Sequence, residues 1–219
     1  MELFLDTASL GEIRQALRMG VVAGVTTNPS LAAKEGIGEV GDYRQAVQEI
    51  ARMVEGPVSA EVLSTDYEGM VLEAREIDSW APNVVAKIPS TLAGFEAIAA
   101  LSREGIKINQ TLCFSVNQAL LGARAGATFV SPFVGRLDDE GHDGMQVVAD
   151  IVRLFAHYGL GTKVLAASIR HPLHCVAAAK AGAHIATVPF KVLTQMAHHP
   201  LTDVGIARFL ADWKRTVKV

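Results

Sequence analysis

The sequence predicts a (β/α)8 barrel, in which eight parallel strands form a closed ring and helices surround it. The first observation is that short β-branched or apolar runs alternate with longer segments of helical period along the 219 residues. Strands that alternate with helices pair in parallel through right-handed crossovers. The second observation is size, because eight such units average roughly 27 residues each, which suits a compact barrel. We therefore expect one domain over residues 1–219.

The strands are expected where short apolar runs lie between turn residues. They are residues 3–5, 24–26, 58–62, 84–88, 106–112, 128–132, 163–167 and 184–188. Helical periodicity predicts helices at 9–19, 42–54, 66–80, 93–103, 116–125, 144–157, 173–181, 190–197 and 201–217. The last helix is amphipathic and is followed by no strand. It either caps the barrel or packs on a neighbouring subunit.

Glycines support the boundaries of these elements. Gly105, Gly126 and Gly182 each stand between a predicted helix and the next strand. A left-handed residue at that position allows a tight turn, and glycine adopts this conformation without steric cost. We read these glycines as structural.

An open, doubly wound sheet is the alternative arrangement of the same elements. Sheets of that kind often cradle phosphate in a glycine-rich loop directly after a strand. Neither G-x-G-x-x-G nor G-x-x-x-x-G-K-[ST] directly follows a predicted strand here. The barrel is therefore favoured.

Composition excludes several classes of function. Half of the residues are hydrophobic, a fifth are charged and the net charge is −3, which is typical of a soluble protein with a large core. No long basic run predicts a nucleic-acid partner. No stretch approaches the roughly 20 apolar residues of a membrane helix, and the first residues lack a basic signal region. We expect a cytoplasmic protein that binds small molecules.

Lys87 is the most informative single residue, because it lies in a segment, Val-Val-Ala-Lys-Ile-Pro, that is otherwise apolar enough for a buried strand. Burial of an unpaired ammonium group is costly and favours loss of its proton. The neutral amine that results is a nucleophile for carbonyl groups. The alternative is a lysine at a strand end whose charged head reaches solvent. This segment alone does not decide between the two interpretations.

Further candidate residues stand where predicted strands end. Catalytic groups of barrel enzymes gather at the carboxyl ends of strands, and residues two apart on a strand share a face. The residues at these ends are Asp6, Thr26, Asn28, Glu61, Lys87, Asn109, Thr111, Ser131, Phe133, Ser168 and Arg170. A turn or helix cap explains any one of the polar members equally well. Their joint placement predicts a polar pocket.

The set contains the groups that imine chemistry on a sugar carbonyl requires. Lysine attacks the carbonyl, and Glu61 with Thr111, through a water molecule, would move the protons as the carbinolamine loses water. Asp6 would take the proton from the hydroxyl beside the carbon–carbon bond that breaks. Amides and hydroxyls would hold the polyol, namely those of Asn28, Asn109 and Ser131.

Arg136 and Arg170 are candidates for binding a terminal phosphate, since guanidinium groups match phosphate oxygens in pairs of hydrogen bonds. The alternative for each arginine is a surface ion pair. Asp138 and Asp139 follow Arg136 closely and could form such a pair.

The histidines and cysteines do not indicate a metal site. His171 and His174 lie three residues apart, but no H-E-x-x-H or similar spacing of ligands is present. Cys113 and Cys175 lie in separate apolar segments and are predicted to be buried free thiols. A nucleophilic Cys113 is the weaker alternative.

Seven segments of the chain closely resemble the transaldolase family. They are LDTA at 5–8, GVTTNPS at 24–30, SAEV at 59–62, VAKIP at 85–89, NQTL at 109–112, SPFVGR at 131–136 and AASIR at 166–170. The likeness runs from the first strand to residues 203–213, in the short form of the family that includes fructose-6-phosphate aldolases. It implies a barrel of the class I aldolase type, sugar-phosphate substrates and no metal or organic cofactor. It also implies a ring-shaped homo-oligomer, a decamer or pentamer.

The resemblance implies a role for each candidate residue. Lys87 would form the Schiff base, and Asp6 would be the acid and base at carbon–carbon cleavage. Glu61 and Thr111 would hold the catalytic water. The remaining roles are support of the site by Thr26, substrate contact by Asn28, Asn109 and Ser131, and phosphate binding by Arg136, Ser168 and Arg170.

Glu61 and Phe133 favour the transferase branch of that family, because fructose-6-phosphate aldolases carry glutamine and tyrosine at these places. The expected reaction transfers a dihydroxyacetone unit from sedoheptulose 7-phosphate to glyceraldehyde 3-phosphate. Its products are erythrose 4-phosphate and fructose 6-phosphate, within the pentose phosphate pathway. A fructose-6-phosphate aldolase is the alternative. A non-catalytic barrel that binds sugar phosphates is the alternative from another class.

Overall fold

A computed structural model of the chain describes residues 1–216. Eight parallel strands close into a barrel in sequence order, and the eighth strand pairs with the first. The predicted (β/α)8 barrel is therefore confirmed. Val217, the end of the last predicted helix, lies outside the described residues.

The strands are β1 (Glu2–Asp6), β2 (Val22–Thr26), β3 (Val58–Glu61), β4 (Val84–Pro89), β5 (Ile108–Cys113), β6 (Phe129–Pro132), β7 (Lys163–Ala166) and β8 (Ile185–Val188). The helices are α1 (Leu10–Leu17), α2 (Pro29–Lys34), α3 (Val40–Met53), α4 (Tyr67–Asp78), α5 (Leu92–Arg103), α6 (Val116–Ala125), α7 (Val134–Asp139), α8 (Gly144–Tyr158), α9 (Pro172–Ala181), α10 (Phe190–Ala197) and α11 (Pro200–Thr216). Every predicted strand and helix is present. The strand ends differ by at most two residues from those expected.

The sequence pattern does not predict α2 and α7, which follow β2 and β6. Each has six residues, fewer than two turns, so neither builds up a periodic pattern. Helix α2 instead depends on its start. The Asn28 side chain accepts a hydrogen bond from the N–H of Leu31 at 2.9 Å, and Pro29 occupies the first helical position.

The barrel interior has an apolar floor beneath the carboxyl ends of its strands. Its side chains belong to Phe4, Val85, Phe129, Leu165, Ala167 and Ile185. The rings of Phe4 and Phe129 meet edge to face with centroids 6.4 Å apart. Gly24 makes room for this packing, since a Cβ there would stand 2.7 Å from the Phe4 ring. Residues two apart share a face, so the next inward positions point above this floor.

A second and larger apolar core lies between the barrel and its helices, and the tight turns that close it use the predicted glycines. Gly105, Gly126 and Gly182 have φ of +83°, +103° and +82°. In α6 and α9 the backbone N–H of this glycine bonds back to the last turn, which ends the helix. The structural reading of these glycines is therefore confirmed.

Helix α11 is unlike the other long helices because none of its described residues is buried. Its large apolar side chains, among them Phe209 and Trp213, are more than half exposed. The apolar residues of this helix are not used by the barrel of its own chain. Within residues 1–216, no helix combines the length and the apolar character needed to cross a membrane.

Candidate active site

Lys87 lies on β4, two residues after Val85 of the apolar floor, and only 4% of its surface is exposed. Its Nζ donates to Glu61 Oε2 at 2.8 Å and to the backbone oxygen of Thr27 at 3.2 Å. The register explains the first contact, since Glu61 and Lys87 are direct partners on β3 and β4. The lysine is thus buried and paired, and it does not extend to solvent.

Glu61 is held from behind by Tyr43 of α3. The Tyr43 hydroxyl accepts from the Glu61 backbone N–H at 3.1 Å and shares a 2.8 Å hydrogen bond with Thr27 Oγ1. Burial raises the pKa of Tyr43 above its usual value, so the phenol stays neutral. These contacts fix the end of β3 and place the Glu61 carboxylate against Lys87.

Asp6 ends β1, above Phe4, and its carboxylate is hydrogen-bonded to a pair of threonine hydroxyl groups in series. Thr26 Oγ1 donates to Asp6 Oδ1 at 2.7 Å and lies 2.6 Å from Thr187 Oγ1. A hydroxyl has one proton, so Thr187 must donate to Thr26. Burial raises the pKa of the Asp6 carboxyl, while the Lys87 charge and the Thr26 hydrogen bond oppose that rise. Asp6 is therefore a carboxyl suited to exchange a proton.

The wall beside Lys87 is a buried polar network. Asn109, the partner of Lys87 on β5, donates through Nδ2 to Ser59 Oγ at 3.1 Å. Its Oδ1 accepts from Ser131 Oγ at 2.7 Å. The hydroxyl of Thr111 is also buried, and it has no hydrogen-bond partner among residues 1–216. Such a hydroxyl gains free energy from a water molecule or a ligand hydroxyl.

Arg136 and Arg170 line the pocket from the segments that follow β6 and β7, and their environments differ. The Arg136 guanidinium stands over the Phe133 ring, 5.2 Å from its centroid. Arg170 Nη2 forms an ion pair with Asp139 Oδ2 at 2.7 Å. A surface ion pair was the alternative for both arginines, with Asp138 and Asp139 named as candidates beside Arg136. It is present for Arg170, whereas Arg136 has no such pair within the described residues.

Backbone geometry holds this side of the pocket in place. Ser168 has φ of +58°, which is uncommon for a residue other than glycine and is typical of functional sites. Its carbonyl accepts from the N–H of Gly135 at 3.0 Å. A Cβ on Gly135 would stand 2.3 Å from that carbonyl oxygen and 2.5 Å from Arg170 Nε. Glycine is therefore required where α7 meets the turn after β7.

These groups open into one cavity of about 240 Å³ at the carboxyl ends of the strands. Its lining includes the predicted residues Asp6, Thr26, Asn28, Lys87, Ser131, Phe133, Arg136, Ser168 and Arg170. The other predicted residues, Glu61, Asn109 and Thr111, stand behind this surface. The structure thus brings the whole predicted set to one end of the barrel, while the role of each residue stays a prediction.

The lining also contains residues that the sequence analysis missed. Thr187 is the penultimate residue of β8, and the rule that selected polar residues near strand ends would have found it. Ser30, Leu31 and Lys34 belong to α2, a helix that the sequence pattern does not predict. No sequence signal points to Leu31 or Lys34, whereas Ser30 ends the GVTTNPS segment at 24–30.

The histidines and cysteines do not contribute to this cavity. Cys113 and Cys175 are buried free thiols, as predicted, and burial raises the pKa of Cys113 to about 12. Such a thiol is a poor nucleophile at neutral pH. In the part of the chain that the structure describes, no three His, Cys, Asp or Glu side chains are grouped to hold a metal ion.

Comparison with solved structures shows the fold. A mandelate oxidase mutant superposes with a TM-score of 0.57 at 15% identity, covering 86% of this chain and 64% of the oxidase. At that identity the likeness carries no information on activity.

Comparison of sequences is more specific. The model of the Transaldolase/Fructose-6-phosphate aldolase family matches residues 3–218. Proteins described as probable transaldolases of Dehalococcoides mccartyi and Desulforudis audaxviator are each 63% identical to the chain, and each alignment covers 100% of both sequences. A probable transaldolase of Moorella thermoacetica is 60% identical, over 98% of each chain. The chain belongs to the transaldolase/fructose-6-phosphate aldolase family.

Proposed function

We propose that the chain is a transaldolase of the pentose phosphate pathway, acting in the cytoplasm. It would move a dihydroxyacetone unit from sedoheptulose 7-phosphate to glyceraldehyde 3-phosphate, which gives erythrose 4-phosphate and fructose 6-phosphate. The observation that carries the proposal is the contact between Lys87 Nζ and Glu61 in a pocket that also holds Asp6 and two arginines. That pocket supplies a nucleophile, an acid and base, and an anion site.

Schiff-base formation begins at Lys87. Glu61 accepts a proton from Nζ, and the neutral amine attacks the ketone carbon of the substrate. The carbinolamine then loses its hydroxyl as water, for which Glu61 returns the proton. Thr111, whose buried hydroxyl has no partner in residues 1–216, would hold the water involved in this step and in the later hydrolysis.

Asp6 acts at the carbon–carbon bond. It takes the proton of the hydroxyl on the fourth carbon, the bond between the third and fourth carbons breaks, and its electrons pass to the iminium group. Erythrose 4-phosphate leaves, and an enamine stays on Lys87. The enamine carbon then attacks the aldehyde of glyceraldehyde 3-phosphate, Asp6 returns its proton, and hydrolysis releases fructose 6-phosphate.

The remaining residues bind and orient the substrate. Thr26 holds Asp6 through its hydroxyl. Asn28 and Ser131 line the pocket and would contact the polyol, while Asn109 orients Ser131 from behind and reaches the site beside Lys87. The phosphate would lie between Arg136, Ser168 and Arg170, which line the pocket after β6 and β7.

Borohydride trapping tests the proposal directly. The protein is incubated with fructose 6-phosphate and borohydride, digested, and its peptides are weighed by mass spectrometry. We expect the reduced adduct on Lys87. Lys34 is the internal control, since it lines the same pocket but lies exposed on α2. Absence of an adduct at Lys87 would reject both the transferase and the aldolase, and leave a barrel that only binds sugar phosphates.

Phe133 supports transfer over simple cleavage. Its ring lines the pocket and packs against Phe114 at a centroid distance of 5.6 Å, and it offers no hydroxyl to protonate the enamine. The enamine then survives until an aldehyde arrives. We expect Phe133→Tyr to raise the release of free dihydroxyacetone from fructose 6-phosphate, without acceptor, by about tenfold or more relative to transfer, since one positioned acid contributes at least that much. An unchanged ratio would contradict this role for Phe133.

We also infer that the last helix of the single-domain chain joins copies of it into a homo-oligomer. The exposed apolar residues of α11 support this, because a helix with no buried residue gains little from its own barrel. Sedimentation velocity should give a mass several times that of the 23.3 kDa chain, with a pentamer or decamer expected. A chain that ends at residue 199 should sediment as a smaller species.

A further inference from the structure

The two arginines of the pocket are in different states before any ligand binds. Arg136 lies over the Phe133 ring, and no carboxylate within residues 1–216 forms an ion pair with it. The Arg170 guanidinium is bound by Asp139 through a single hydrogen bond of 2.7 Å. An anion can therefore approach Arg136 directly, whereas at Arg170 it meets a carboxylate that is already bound.

The location of this ion pair indicates what it does. Arg136 and Arg170 line both the reaction pocket and a second, more open cavity formed with Leu137, Asp139 and Glu140. Asp139 lines only the second cavity. The ion pair thus holds one edge of the Arg170 guanidinium on the side of the second cavity, while Arg170 lines both cavities.

The stem of the Arg170 side chain passes close to Gly135. Its Cγ and Nε lie 2.6 and 2.5 Å from the point where a Cβ on Gly135 would stand, so the stem runs directly across that glycine. The guanidinium end lies at the boundary of the two cavities. The side chains of Asp139 and Arg170 are both more than half exposed, at 60% and 52%, so the pair itself is weak.

We propose that Asp139 competes with the substrate phosphate for Arg170 and thereby sets the charge selectivity of the pocket. This rests on the proposed function only in treating the pocket as a sugar-phosphate site. A dianionic phosphate can accept two hydrogen bonds from the guanidinium and displaces the carboxylate. A ligand with one negative charge gains less from Arg170 and leaves the ion pair in place. The Asp139 pair therefore favours dianions over monoanions at Arg170.

Calorimetric titration with inorganic phosphate at pH 7.5 tests the competition without turnover. We expect Asp139→Asn to tighten phosphate binding about fivefold, which is the upper end of what an exposed ion pair contributes. The affinity for acetate, the monoanionic probe, should rise by at least the same factor in Asp139→Asn. Glu140→Gln is the matched control, because it removes the same charge from the same cavity and has no ion pair with either arginine in the described residues. Its phosphate affinity should change by less than about 1.5-fold.

A double-variant comparison assigns the effect to Arg170. In an Arg170→Ala background, Asp139→Asn should no longer change phosphate affinity, because the guanidinium for which Asp139 and phosphate compete is absent. In the transfer assay, Asp139→Asn should lower KM for glyceraldehyde 3-phosphate with kcat unchanged, and leave KM for unphosphorylated glyceraldehyde as it is. Unchanged or weaker phosphate binding by Asp139→Asn would overturn the proposal, and weaker binding would mean that Asp139 positions Arg170. A failed borohydride test would reject the catalytic function and leave this calorimetric result standing.

Discussion

Lys87→Met should abolish transfer and the borohydride adduct together. Methionine preserves the length and apolar stem of the side chain but has no amine, so no covalent intermediate can form. Removal of a covalent nucleophile lowers kcat on the order of 10⁵-fold or more. The measurements are initial rates of fructose 6-phosphate formation and the mass of the trapped protein. Residual transfer within about 100-fold of the unsubstituted chain would contradict a Schiff-base mechanism at this residue.

The same substitution should also destabilise the fold, and this separates Lys87 from an ordinary surface lysine. Glu61, whose side chain is 14% exposed, would lose its partner at 2.8 Å and stay behind the pocket surface as an uncompensated charge. Breaking a buried ion pair on one side costs about 3 kcal/mol. We expect urea unfolding at neutral pH to show a decrease of this size in the free energy of unfolding.

A second substitution distinguishes stability from catalysis. Adding Glu61→Gln to Lys87→Met removes the stranded charge, so the double variant should recover most of the lost stability while staying inactive. Lys34→Met is the control, because it removes an exposed lysine from the same pocket. This variant should still form the borohydride adduct on Lys87. If the double variant is no more stable than Lys87→Met, the Lys87–Glu61 pair does not carry the effect.

Much of this site could be predicted because its signals are local in the sequence. A lysine in an otherwise apolar strand, such as Lys87, departs from the pattern of a buried strand and can be selected from the sequence alone. Asp6 and Ser131 stand out in the same way, as polar residues two positions after the apolar residues Phe4 and Phe129 that form the barrel floor. Strict alternation on a strand then places each of them above that floor without any knowledge of the tertiary structure.

The parts that could not be predicted depend on which strands and turns meet in space. The Lys87–Glu61 contact needs the register of β3 on β4, and the Arg170–Asp139 pair joins residues 31 positions apart through the pairing of β6 with β7. An isolated strand carries no information on either. Proximity in sequence alone drew attention to Asp138 and Asp139 as partners of Arg136. The structure assigns Asp139 to the other arginine instead.

Asp6→Asn should separate Schiff-base formation from carbon–carbon cleavage. Asparagine has the same shape and keeps an oxygen for the Thr26 hydroxyl, but it cannot take a proton. Loss of the general base should lower kcat by about 10²- to 10⁴-fold, whereas the borohydride adduct on Lys87 still forms. Rapid-quench assays of adduct formation and of erythrose 4-phosphate release measure the two steps separately. Equal losses in both steps would mean that Asp6 also serves the attack of the amine.

The same variant should be more stable at neutral pH, and the sign follows from the pKa. Burial raises the folded-state pKa of Asp6 above its ordinary value of 3.8, so the folded chain binds this proton more tightly than the unfolded chain does. The free energy of unfolding therefore falls as the pH rises from 3.8 through the raised pKa of the folded chain. An uncharged asparagine avoids this loss. The stability gain of Asp6→Asn, measured by urea unfolding, should be largest at pH 7 and shrink as the pH falls toward 3.8. On the proposed mechanism, the chain keeps a carboxyl here at the expense of stability because the proton transfer at the breaking bond needs it.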